Sequence, residues 1–150
     1  MDARTGRLTA YADGASRGNP GPAAIGVVLL DEEGREVYTI SRAIGTATNN
    51  QAEYRAAIAA AEAALALGAQ RLELRMDSEL VVRQLQRRYQ VRNPALKPLY
   101  HRLLELRRQF QQFEVRHVPR SANQRADELA NQALDRPPDG RRPPRSARPR

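Results

Sequence analysis

YADGASRGNPGPAAIGVVL, residues 11–29, decides how the chain begins. Arg7 to Ala12 reads as an apolar strand that stops on a carboxylate, Asp13. A glycine- and proline-rich turn follows from Gly14 to Gly21, and Ile25 to Leu30 is a second strand, apolar and β-branched. The turn is not a phosphate-cradling P-loop: the G-x-x-x-x-G-K-[ST] spacing is missing and no lysine follows. "DEEG" at 31–34 is another turn, and Glu36 to Ala43 alternates loosely as a third strand. Strands joined by turns this short make an antiparallel meander.

The period then changes. Residues 50–67 are alanine-rich with Ile58, Ala61 and Leu65 at helical spacing, and Gly68 supplies the stop. "RLELRM" at 71–76 alternates as a fourth strand. Ser78 to Arg88 is predicted helical, with Leu80, Val81 and Leu85 on one face. "RNPALKP" at 92–98 breaks the pattern before a helix from Leu99 to Phe110. Phe113 to Val118 is a fifth strand, and Asn123 to Leu134 a last helix. The order βββαβααβα argues an α/β fold, a mixed sheet flanked by helices. A nucleotide-binding Rossmann domain fails on the antiparallel start and the missing G-x-G-x-x-G.

The length of 150 residues suits one domain with a real core. There is no cysteine, so disulfides and thiolate metal sites are excluded, and a reducing, cytoplasmic setting is expected. The first residues, "MDARTGRLTAYAD", have no apolar h-region, so no signal peptide is expected. No run reaches the roughly 18 apolar residues of a membrane span. The net charge of +8 points to a polyanionic partner. Six arginines against one aspartate fall in residues 136–150, a Pro/Arg-rich segment too polar to offset its chain entropy. The expected organisation is therefore a domain over 1–135 and a disordered basic tail over 136–150, which adds phosphate attraction or merely solubilises.

Four acids stand at suggestive places: Asp13 after strand one, Glu53 in the first turn of helix one, Asp77 after strand four, and Asp127 near the start of the last helix. Each also has an ordinary role open to it. Asp13 suits an Asx turn before Gly14, Asn50-x-x-Glu53 resembles a capping box, Asp77 suits a cap, and an acid at 127 suits the helix dipole. Jointly they say more. Strands one and four are expected to be parallel neighbours in the sheet centre, so Asp13 and Asp77 stand side by side at the end where ligand crevices form, and a helix after strand three brings Glu53 there too. Crowded acids repel unless a counter-charge sits among them. All-oxygen ligands select a hard ion, Mg²⁺ or Mn²⁺ rather than Zn²⁺. An acidic, metal-holding crevice in a basic protein suggests two-metal phosphodiester hydrolysis.

"DGASRGNPGPAAIG", "TNNQAEY", "MDSELV" and "HVPRSANQRADELA" together resemble the four motif blocks of type 1 ribonuclease H, in the right order over most of residues 7–134. The resemblance implies the ribonuclease H-like fold, a five-stranded sheet of order 3-2-1-4-5 with strand 2 antiparallel. It implies cleavage of the RNA strand of RNA/DNA hybrids to 5′-phosphate and 3′-hydroxyl ends, and removal of RNA primers and R-loops. Asp13, Glu53, Asp77 and Asp127 match the metal-holding acids, with two Mg²⁺ per site and Mn²⁺ as an alternative. His117 matches a mobile histidine that assists proton transfer or product departure. Gly14, Asn19, Thr48, Asn49, Asn50 and Asn123 fall where hybrid contacts are expected. Asn123 is also expected to cap the last helix and support the His117 loop. Gln51 stands where many relatives carry arginine, and Glu79 where some carry glutamine. Residues 88–101 are short and hold few cations, so the chain resembles the subgroup without the basic protrusion that grips the hybrid. Arg87, Arg88, Arg92, Lys97 or the tail are the available substitutes. No membrane and no small-molecule cofactor is expected, and a monomer is the default. The competing readings are a non-catalytic hybrid-binding module, or a nuclease of the same fold acting on DNA or double-stranded RNA.

Overall fold

The computed structural model describes residues 6–136. Five strands, β1 (Arg7–Ser16), β2 (Gly21–Leu30), β3 (Glu36–Ala47), β4 (Arg71–Met76) and β5 (Gln112–His117), form one sheet in the order β3-β2-β1-β4-β5. β2 runs antiparallel to both β1 and β3, while β4 and β5 run parallel to β1. The helices are α1 (Asn49–Ala66), α2 (Glu79–Leu85), α3 (Lys97–Arg107) and α4 (Gln124–Asp135). The element order and the mixed sheet are those read from the sequence. Among the described residues, no helix is long and apolar enough to cross a membrane.

Alternation along β1 divides its residues between two environments. Leu8, Ala10 and Ala12 enter the main core with Ile25, Val27 and Leu29 of β2 and Leu72, Leu74 and Met76 of β4. α1 lies on this face. Its buried residues are alanines apart from Tyr54, so the helix backbone settles close to the strands. Tyr54 is fully buried and satisfies its hydroxyl by donating to Gln84 Oε1 at 2.6 Å. Thr9, Tyr11 and Asp13 point to the opposite face, where α4 covers β1 and β2.

Several boundaries differ from the sequence reading. β1 does not stop at Ala12: it runs to Ser16, because β2 starts four residues earlier than its β-branched part and pairs Ser16 with Ala23. Asp13 therefore sits within a strand. What ends near it is the parallel pairing with β4, last matched at Tyr11 and Arg75. α2 ends at Leu85 rather than Arg88, since Arg87 takes a left-handed φ of 64°. α3 starts and ends earlier than expected, with Pro98 in its first turn. Arg136, expected to open the tail, is held against β3 by donating to the carbonyl (2.9 Å) and hydroxyl (3.0 Å) of Ser41. The rest of the expected tail, 137–150, lies outside the described residues.

Candidate active site

Two glycines let two helices touch the sheet around Asp13. A Cβ built on Gly14 would stand 2.2 Å from the Ala52 carbonyl carbon and 2.4 Å from the Glu53 nitrogen. Only glycine allows α1 this close. The close approach lets Gly14 N–H donate to Glu53 Oε1 at 3.0 Å, which fixes that carboxylate beside β1. Gly26, the register partner of Asp13, does the same for α4: a Cβ there would stand 2.0 Å from the Ala126 carbonyl oxygen. Asp127 follows Ala126 directly, so the contact at Gly26 sets how near Asp127 comes to Asp13. Gly14 thus has a packing role in addition to its expected place against the substrate.

One carboxylate oxygen each from Asp13, Glu53 and Asp77 lies within 4.8 Å of the others. Asp13 is 6% exposed. Burial, followed by the charges of Glu53, Asp77 and Asp127, pushes its carboxyl up to about 9. Burial also pushes Glu53 up to about 8, against the Gly14 hydrogen bond and the charge of Arg120, both of which favour the carboxylate. Asp127 does not belong to the mutually close set of three, but it acts on Asp13 both as a hydrogen-bond partner and as a charge. Its carboxylate accepts from Asn131 Nδ2 at 3.3 Å. A buried carboxyl, Asp13, and a half-buried one, Glu53, that both resist ionisation mark a site short of positive charge. Hard oxygen donors at this spacing fit a divalent cation.

Asn123 is buried, and its Nδ2 donates to the Ala12 carbonyl and to Asp77 Oδ2, both at 3.0 Å. It occupies the position before α4 but makes no side-chain cap, contrary to the sequence expectation. Its amide is turned inward to hold Asp77 instead. The capping box of α1 is also displaced from the expected one. Thr48 is the cap and accepts from Gln51 N at 3.1 Å, while Gln51 Oε1 accepts from Thr48 N at 2.8 Å. Glu53 lies two residues further on, free of capping and available to the cluster. Asp77 precedes the cap of α2, which is Ser78.

Asn19 and Asn49 lace the β1–β2 hairpin to the start of α1. Asn19 Oδ1 accepts from Asn49 N and Asn49 Oδ1 accepts from Ser16 N, both at 3.1 Å. Asn50 follows on the same helix start, half-buried. His117 closes β5, exposed, in register with Met76 and so one strand away from Asp77. Glu79 is exposed at the start of α2, its carboxylate 3.7 Å from Arg83. Two contributors were not singled out in the sequence. Gly26 had a usable signal, a glycine inside an apolar strand, which marks close backbone approach. Arg120, in a one-turn 3₁₀ helix (Arg120–Ala122), had none.

A protein-family profile described as reverse transcriptase-like matches residues 11–133. Ribonuclease HI of Halobacterium salinarum is 52% identical over 132 residues, which are 88% of this chain and 66% of that protein. A bifunctional protein of Mycobacterium tuberculosis is 47% identical over 130 residues, 86% of this chain and 36% of that protein. The chain thus spans under two thirds of the length of these relatives. Among solved structures, the crystal structure of RNase H1 from H. salinarum superposes with a TM-score of 0.85 at 52% identity, covering 87% of this chain and 98% of that one. LC11-RNase H1, solved in complex with an RNA/DNA hybrid, superposes with a TM-score of 0.82 at 44% identity, covering 85% and 96%.

Proposed function

The chain belongs to the type 1 ribonuclease H family, and on that premise we propose that it is an endonuclease hydrolysing the RNA strand of RNA/DNA hybrids. The products are 5′-phosphate and 3′-hydroxyl ends, and the cellular task is removal of RNA primers and R-loops. The observation that carries this reading is the cluster of Asp13 from β1, Glu53 from α1 and Asp77 from the turn after β4, their oxygens within 4.8 Å of one another. The relative solved with a hybrid supports the substrate.

Asp13, Glu53, Asp77 and Asp127 are the groups assigned to hold two Mg²⁺ ions, with Mn²⁺ as the alternative. Bound ions would supply Lewis acidity for the attacking water and the departing 3′-oxygen. The protein's own part is placement. Asp13 sits on the central strand of the sheet, Gly14 N–H aims Glu53, and Asn123 aims Asp77. Side chains locked in this way need no reorganisation when charge develops on the phosphoryl oxygens. His117, exposed at a strand end, is assigned to proton transfer or product departure. Asn19, Asn49 and Asn50, with Thr48 and Gln51, form the polar rim assigned to the hybrid. The 2′-hydroxyl there donates and accepts, which distinguishes the RNA strand. Glu79 is assigned a contact at the edge of that rim. The working unit is a monomer.

A strand-labelled cleavage assay on hybrid, duplex DNA and duplex RNA, with and without Mg²⁺, tests the reading. Mg²⁺-dependent cutting of the RNA strand alone, lost in Asp13→Asn, is expected. Hybrid binding without cutting would leave only a binding module. Cutting of duplex DNA in preference to hybrid would replace the substrate.

A further inference from the structure

A groove of about 790 Å³ opens where the chain leaves α2 and enters α3. The seven residues of α2, about 10 Å of helix, separate it from Asp77. Arg87, Arg88, Arg92 and Lys97 line it together with Tyr89 and Tyr100, and no acid does. Among the described residues, no carboxylate pairs with any of these four cations. Elsewhere on the surface Arg7, Arg35, Arg75, Arg102 and Arg125 each sit against one. Tyr89 is 49% exposed, which leaves its ring face open for stacking. Arg87 is the one non-glycine residue with positive φ among the described residues, at a helix end where glycine is the relaxed choice. By contrast, Gly68 fills the comparable position after α1.

We propose that this groove takes an unpaired single strand of nucleic acid, with phosphates on the four cations and base faces against Tyr89 and Tyr100. The reasoning is one of shape. A hybrid duplex is convex and keeps its base faces stacked inside. A concave groove with one exposed ring, Tyr89, and a second, Tyr100, half-buried in its wall matches bases that are unstacked, and the cations that line it suit the backbone phosphates. The proposal rests on the hydrolase reading above and extends it. The substrate becomes a hybrid with single-stranded nucleic acid beside it, as at the margin of an R-loop or a primer.

The sequence contains five tyrosines and no tryptophan, so tyrosine fluorescence reports stacking directly. The full chain, without divalent ions, is titrated with oligodeoxythymidine or oligouridine of about 15 nucleotides, within the site sizes such grooves occupy. Saturable quenching is expected with both. Tyr89→Ala should weaken it by about fivefold or more, the lower end of what one base stack contributes. Arg87→Gly should also weaken it, with a melting temperature no lower than the parent's, which separates lost binding from lost folding. Tyr89→Ala should affect single-strand affinity more than KM for blunt hybrid. Absence of quenching, or equal losses on single strand and blunt hybrid, overturns the proposal. Failure of the hydrolase reading would show separately, as no cleavage of blunt hybrid with quenching intact.

Discussion

Gly14→Ala tests whether the depth at which α1 sits on the sheet controls the site. The added methyl would lie 2.2 Å from the Ala52 carbonyl carbon and 2.3 Å from its oxygen. Carbon atoms rest comfortably at about 3.5–4.0 Å, so α1 must retreat by about 1 Å or more. The obstacle is helix backbone rather than a flexible side-chain tip, which puts the overpacking cost toward the top of the usual ~1–3 kcal/mol. At about 2–4 °C per kcal/mol for a chain of this length, the melting temperature should fall by roughly 6–12 °C. The functional loss is larger in proportion. Glu53 is carried by the same turn and loses its hydrogen bond from Gly14 N–H. A displacement of about 1 Å at a reacting centre costs on the order of 100-fold in rate. Thermal melts followed by circular dichroism give the first quantity, and kcat on labelled hybrid at saturating Mg²⁺ the second. Gly34→Ala is the control: nothing lies within 4 Å of its Cβ position, though its φ is +82°. It should cost about 1–2 kcal/mol of backbone strain without touching kcat. A folded Gly14→Ala protein whose kcat stays within about twofold of the parent would refute the link between helix depth and catalysis.

Other outcomes follow from the same geometry. Asp13 and Glu53 hold protons at about 9 and about 8 in the fold, against about 3.9 and 4.3 in the unfolded chain. The folded state therefore binds more protons between those limits. Metal-free stability should be complete below pH of about 4 and fall as pH rises toward about 8–9. Calorimetry should show that fall, and Mg²⁺ should raise the melting temperature more near the alkaline end of the window than near the acidic end. Asp13→Asn should raise metal-free stability at mildly alkaline pH while abolishing cleavage; a lower melting temperature there would contradict the assigned repulsion. Asn123→Ala should cost about 1–3 kcal/mol in urea melts by leaving the Ala12 carbonyl unsatisfied, and it should lower kcat by freeing Asp77. Deleting residues 137–150 should raise KM more than it lowers kcat, with the difference shrinking at high salt; an unchanged KM at moderate salt excludes a substrate role for the tail.

Much of this was legible in the chain itself. Hydrophobic periodicity located all five strands and four helices, because a half-buried strand and a helix on a sheet each impose a residue spacing that no other element shares. The four motif blocks marked the acids. Boundaries were less legible. The strand was read as stopping at Asp13 since an acid followed by glycine is a local turn signal, yet pairing with β2 carries it on to Ser16. Asn50 and Glu53 have capping-box spacing, yet Thr48 and Gln51 form the box, because the helix starts two residues earlier than a cap at Asn50 requires. Asn123 looked like a cap and instead reaches a strand more than a hundred residues away in sequence.

What sequence alone determined was the list of elements and which acids to take as candidates, because both depend on local spacing and residue chemistry. Which side chains meet was decided only by tertiary packing. Glu53 reaches Asp13 because Gly14 lets a helix backbone lie against a strand, and Asp127 approaches because Gly26 does the same on the other face. The groove beside Tyr89 opens where α2 ends early on a left-handed arginine. Such contacts depend on the distance between backbones that are remote in sequence, and no local pattern of residues encodes that distance.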